Sequence, residues 1–241
     1  MSRILVSLYG VVSYIIFFLS FLYAIGFVGN LLVPKTIDSG DVTAIVPSLI
    51  INVVLLALFA IPHSVMARPA FKQWFTRYIP VAIERSTYVL VSSLLLFLLY
   101  WLWQPITGVI WNIESAVGSM ILMGIFWVGW LIVLLSTFMT NHFDLFGLRQ
   151  VYINFKGQEY SHLEFRMIGL YKLCRHPLML GFIVAFWATP TMTTGHLLFS
   201  VATTAYIFIA LQFEERDLLT FFGDTYKSYK EKVPMVFPYK W

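Results

Sequence analysis

Residues 4–32 read ILVSLYGVVSYIIFFLSFLYAIGFVGNLL, without a single Asp, Glu, Lys or Arg. A helix of that length outreaches the ~30 Å hydrocarbon core of a bilayer. Arg3 precedes it and no small-residue cleavage site follows, so it reads as a first span rather than a removed signal peptide. The rest of the chain repeats the pattern. Apolar stretches cover 42–66, 86–103, 117–138, 177–188 and 196–212, and polar segments separate them.

Composition agrees. The 241 residues are 59% hydrophobic and 12% charged, against about a quarter charged in soluble domains. The surplus apolar surface needs a solvent other than water, and a lipid bilayer is that solvent. The expected fold is therefore all-α: a polytopic integral membrane protein of about six transmembrane helices. Soluble and secreted classes are excluded, and no nucleic-acid partner is expected. A single cysteine, Cys174, rules out an internal disulfide and a Cys-based zinc site; no metal is expected.

Orientation follows from where the cations fall. With six spans and both termini inside, every Lys and Arg except Lys35 lies on the cytoplasmic side. That places the polar motifs on the cytoplasmic face of the membrane. Between the second and third spans, residues 68–85 mix Phe71, Trp74, Phe75 and Tyr78 with Lys and Arg, as suits the headgroup layer. Trp101, Trp103 and Trp111 read as interfacial anchors. The segment 139–175 is the longest loop. The chain reads as one domain, with a four-helix part at 1–138 and a polar-motif part at 139–241.

Two motifs share the inner end of the last helical hairpin. Arg175-His176-Pro177 opens the fifth helix, where proline is favoured because its absent N–H would go unpaired anyway. A helix start also presents free N–H groups and partial positive charge, which suits a carboxylate. Glu214-Glu215-Arg216-Asp217 stands where the sixth helix leaves the membrane. The fifth helix, at roughly 20 Å, is too short to span, so its start would sit in a recess lined by both clusters. A zwitterion would match it.

Arg175-His176-Pro177 with Gly181, followed by Glu214-Glu215, Leu218, Phe222-Gly223, Tyr226, Tyr229 and Val233-Pro234, resembles the C-terminal signature of integral-membrane methyltransferases. These include the isoprenylcysteine carboxyl methyltransferases and the phospholipid methyltransferases. Upstream, His162 with Gly169-Leu170-Tyr171 is similar to the lead-in of that signature. Met179 departs from it, standing where the carboxyl methyltransferases usually have tyrosine. The stretches 63–69 and 141–150 resemble the bacterial methanethiol S-methyltransferase branch, which overlaps the NnrU-like proteins.

The resemblance implies an S-adenosylmethionine site, cytoplasm-facing, built by the last two helices and the tail. Arg175 and His176 would hold the methionyl carboxylate, Gly181 would let the backbone approach, and Glu214 with Glu215 would bind the amino group or ribose. Gly169, Tyr171 and Tyr226 complete the cofactor set. The acceptor implied is a small apolar thiol, methanethiol, giving dimethyl sulfide. A thiolate is the better nucleophile, so a base is sought among His63, His142, His162 and Asp144, with Asp144 able to orient His142. His196 lies on the outer side. Two other readings stay open: the same fold acting on a lipid-like amine or thiol, and a haem protein of the NnrU and carotene-isomerase kind with His63 and His142 as axial ligands.

Overall fold

The computed structural model describes residues 2–161 and 163–239; His162 and Lys240, both named above or counted among the cations, lie outside the described residues. Ten helices and one two-stranded ribbon make up the described chain. Five helices are long and apolar enough to cross a membrane: α1 (Arg3–Gly29), α2 (Ile45–Ala67), α4 (Val81–Leu102), α5 (Ala116–Thr140) and α9 (Thr194–Phe222). Short helices fill the polar segments: α3 (Pro69–Phe75), α6 (His142–Leu145), α7 (Leu148–Lys156) and α10 (Asp224–Lys232). The protein is all-α and membrane-embedded, as its sequence requires.

The sixth apolar stretch forms α8 (Pro177–Trp187), only 11 residues and so about 16 Å long. It does not cross a bilayer by itself. The expected six spans thus become five full-length helices and one half-length helix packed against α5.

Local chemistry sets the helix limits. Ser2, Ser115 and Thr193 cap α1, α5 and α9 by accepting a bond from the backbone three residues on. Asn30 ends α1 in the left-handed conformation, its N–H returning to the Gly26 carbonyl. The long loop expected at 139–175 instead carries α6, α7 and a 3-10 turn at Gly169–Lys172, with α7 laid against α1 and α4.

Helix α5 packs along α8 through facing glycines. A Cβ on Gly181 would come 2.7 Å from the Gly129 carbonyl, and one on Gly129 would come 2.8 Å from the Gly181 carbonyl. Small residues at a crossing let backbones touch where lipid supplies no hydrophobic drive between helices. At the end far from α8's start, Phe27, Tyr100, Trp103, Phe126, Trp130 and Phe199 form an aromatic core.

That end also holds features the sequence did not announce. Strand β1 (Val109–Asn112) pairs antiparallel with β2 (Thr191–Thr193), Trp111 opposite Met192. Trp103 is no interfacial anchor: it is fully buried and its indole N–H donates to the Ile37 carbonyl at 3.1 Å. Trp101 is exposed as expected.

Candidate functional site

The opposite end gathers nearly all of the cations. There the chain after Val233 runs back beside the start of α8, and the backbone N–H groups of Arg175 and His176 donate to the Pro234 and Met235 carbonyls at 2.9 and 3.0 Å. Pro177 occupies the first helical position. These bonds fix Arg175 and His176 before the helix begins, and both are buried.

Glu215 is the hub between them. Its Oε1 accepts from Arg175 Nε at 2.6 Å and lies 2.6 Å from Arg175 Nη2. His176 Nε2 is 3.2 Å from the same oxygen, and the Tyr226 hydroxyl donates to it at 3.4 Å. Lys230 Nζ pairs with Oε2 at 2.9 Å. Arg175 Nη1 turns to the Val233 and Lys230 carbonyls at 2.5 and 3.1 Å. A carboxylate with 2% exposure is tolerable only with such partners. The network ties α8, α9, α10 and the tail into one unit.

Glu214, one residue earlier, faces elsewhere. It is half-buried and makes no hydrogen bond or ion pair among the described residues. Its charge acts on the hydroxyls of Tyr88, Tyr171 and Tyr226. Burial pushes the Tyr171 hydroxyl up to about 12 against the lowering effect of its Thr140 hydrogen bond, with a smaller push from Glu214. Burial, with Glu215 next, likewise raises that of Tyr226. Both phenols therefore stay protonated and able to donate.

Tyr171 leads away from this cluster. Its carbonyl accepts from the Tyr229 hydroxyl at 2.6 Å and its own hydroxyl reaches Ser136 and Thr140 at the end of α5. Gly169 packs against the Met139 side chain at φ +50°, a backbone conformation that favours glycine. Thr140 in turn borders a cavity of about 610 Å³ whose other walls include Lys72, Glu84, Arg85, Asn141 and Asp144. Arg85 stands between that cavity and Tyr88, 5.0 Å over its ring.

The histidines separate into different neighbourhoods. His142 is buried, with Nε2 2.7 Å from the Tyr14 hydroxyl and Nδ1 2.9 Å from Thr137 Oγ1. Burial lowers its pKa, so it is held neutral. Asp144 does not orient it: that carboxylate pairs with Arg149 at 2.9 Å and accepts from Tyr160 at 3.1 Å. His63 sits in α2 with Ser92 Oγ 3.0 Å from Nδ1 and the Tyr88 hydroxyl 2.9 Å from Nε2 and 3.1 Å from Nδ1. His196 is buried at the far end, on the Phe186 carbonyl. Gly181 faces α5.

Sequence reasoning missed Lys230, Tyr88, Ser92 and Tyr206. Lys230 carried a signal, standing one helical turn after Tyr226 on the same face. Tyr88 stands one turn after Arg85, a cation in an otherwise apolar helix, and only packing reveals what the pair faces.

No family model and no solved structure matches the chain. Curated proteins do. The chain is 56% identical over 237 residues to methanethiol S-methyltransferase 2 of Bradyrhizobium diazoefficiens, covering 98% of this chain and 91% of that one. It is 53% identical over 239 residues to the methanethiol S-methyltransferase of Mycobacterium tuberculosis, covering 99% and 98%. Mouse nurim is more distant, 31% identical over 183 residues, covering 73% and 70%.

Proposed function

The chain belongs to the methanethiol S-methyltransferase family, and we propose that it methylates methanethiol with S-adenosylmethionine held beside Glu214. The observation that carries the donor site is the contrast between two adjacent carboxylates. Glu215 is consumed by Arg175, His176, Tyr226 and Lys230, whereas Glu214 is open among protonated phenols. An ammonium group is the natural partner of an unpaired, half-buried carboxylate. The donor's carboxylate then faces the positive side of the network, made by Arg175, His176 and Lys230, with Tyr226 behind them.

Room for the nucleoside half is available. The 610 Å³ cavity falls within the usual size of small-molecule sites; Glu214 does not line it, but Thr140, which the Tyr171 hydroxyl reaches, stands on its wall. Gly169 supports this reading by letting Tyr171 turn against the end of α5.

Methyl transfer from a sulfonium is an in-line displacement, so the protein has mainly to align donor and acceptor and keep water away. The polar donor arrives from the aqueous side. Methanethiol is apolar and reaches the same point through the bilayer. With the basic end inside, the donor side is the cytoplasm and the membrane is the inner one.

Membranes carrying the protein, given S-adenosylmethionine and methanethiol, are expected to release dimethyl sulfide into the headspace. No dimethyl sulfide from folded protein would overturn the reading, and release without added donor would overturn the choice of donor.

A further inference from the structure

A polar cluster that the donor site does not use lies between α2, α4 and α9. Pro62, inside α2, has no N–H and leaves the Leu58 carbonyl without its helical donor. His63 follows directly. Its ring stacks on Phe59 at 5.0 Å, its Nδ1 meets Ser92, and the Tyr88 hydroxyl lies 2.9 Å from Nε2 and 3.1 Å from Nδ1. Ser64 meets Tyr206 at 3.0 Å on the α9 side. Polar side chains within apolar spans cost desolvation, and an aliphatic set would fill the same volume. Such groups are retained for a task.

The cluster is also aimed. The Tyr88 hydroxyl meets His63, and the charge of Glu214 acts on it. The charged and titratable groups around it are Arg85 from α4, Arg68 between α2 and α3 paired with Asp217 of α9, and Glu214 and Tyr206 from α9. His142 has no such link: its partners belong to α1 and α5, and no charged side chain acts on it.

We propose that Tyr88 and His63 are the proton-accepting half of the reaction, with the thiol sulfur seated against the Tyr88 hydroxyl. This rests on the donor lying at Glu214. The relay takes the tautomer in which Nδ1–H of His63 donates to Ser92 and Nε2, the ring nitrogen nearer the Tyr88 hydroxyl, accepts. The thiol S–H bond breaks and its proton passes to the Tyr88 oxygen, while the Tyr88 proton passes to His63 Nε2. The thiolate lone pair forms the new S–C bond. The donor's methyl–sulfur bond breaks, and its electron pair stays on the donor sulfur, now a neutral thioether. The positive charge that leaves the sulfonium reappears on the imidazolium, so the buried site never changes its net charge. Glu214 acts on the Tyr88 station, and Arg85 is the charged group that faces His63. The proton then leaves His63 for water. Tyr88 is the group that touches the substrate, and His63 acts through it.

The test uses full-length protein in lipid nanodiscs, as wild type, Tyr88→Phe and His63→Gln, with two acceptors. Methanethiol must lose a proton; methaneselenol has nearly the same shape and is already ionised at neutral pH. Methanethiol turnover is expected to fall on the order of 100-fold in both variants and to recover as pH rises. Methaneselenol turnover and S-adenosylhomocysteine binding are expected to stay within about twofold of wild type, well inside that general-base effect. Equal losses for both acceptors, or no loss with methanethiol, would overturn the relay while leaving the donor site standing. Wild-type protein that binds no S-adenosylhomocysteine would overturn both.

Discussion

At the scale of single residues, Glu214 and Glu215 carry the account. Successive residues on a helix point about 100° apart, so two identical carboxylates meet different surroundings. Glu215 holds a buried cationic cluster together, and removing it strands Arg175 beneath the surface. Glu215→Ala should therefore cost about 3–5 kcal/mol, seen as a large drop in the melting temperature of purified protein. An unchanged melt would mean that Arg175 finds compensation elsewhere. The motif Glu214-Glu215 was legible in the sequence, but its division of labour was not, because which carboxylate meets Arg175 is settled by the returning tail. The same limit applied to His142 and Asp144. They are neighbours in the chain, yet one turns to Tyr14 and Thr137 and the other to Arg149 and Tyr160.

At the scale of elements, α8 decides where the site lies. Its brevity was readable from the spacing of Pro177 and the polar turn after Ala188. Its partner was not, since nothing in the spacing of Gly181 says that α5 comes to touch it. Gly181→Val would drive a side chain into the Gly129 carbonyl and Val133. A loss of about 1–3 kcal/mol is expected in thermal denaturation, together with weaker donor binding as α8 moves. A variant with wild-type stability would show that the two helices can part freely. The β1–β2 ribbon stayed hidden because strands of four and three residues are too short to display an alternating pattern. Trp103 misled for a related reason: tryptophan near a span's end suits an interface, but here a neighbouring carbonyl at Ile37 drew it inward.

At the scale of the whole molecule, the division of surfaces explains why this chemistry sits in a bilayer. The lipid-facing sides of α1, α2 and α5 are lined with exposed Leu, Ile and Val, while the basic end gathers ion pairs, phenols and the cavity. In the proposed reaction a charged donor and an apolar acceptor approach one point from different solvents. The membrane class and the basic end followed from composition and charge placement, which depend on the solvent and not on packing detail. Calorimetric titration of S-adenosylhomocysteine against wild-type and Glu214→Gln protein tests that convergence most directly. Wild type should bind, and Glu214→Gln, with an unaltered melting temperature, should bind at least about tenfold more weakly, the loss of one charge-assisted contact. Equal affinity in the two proteins would contradict the account.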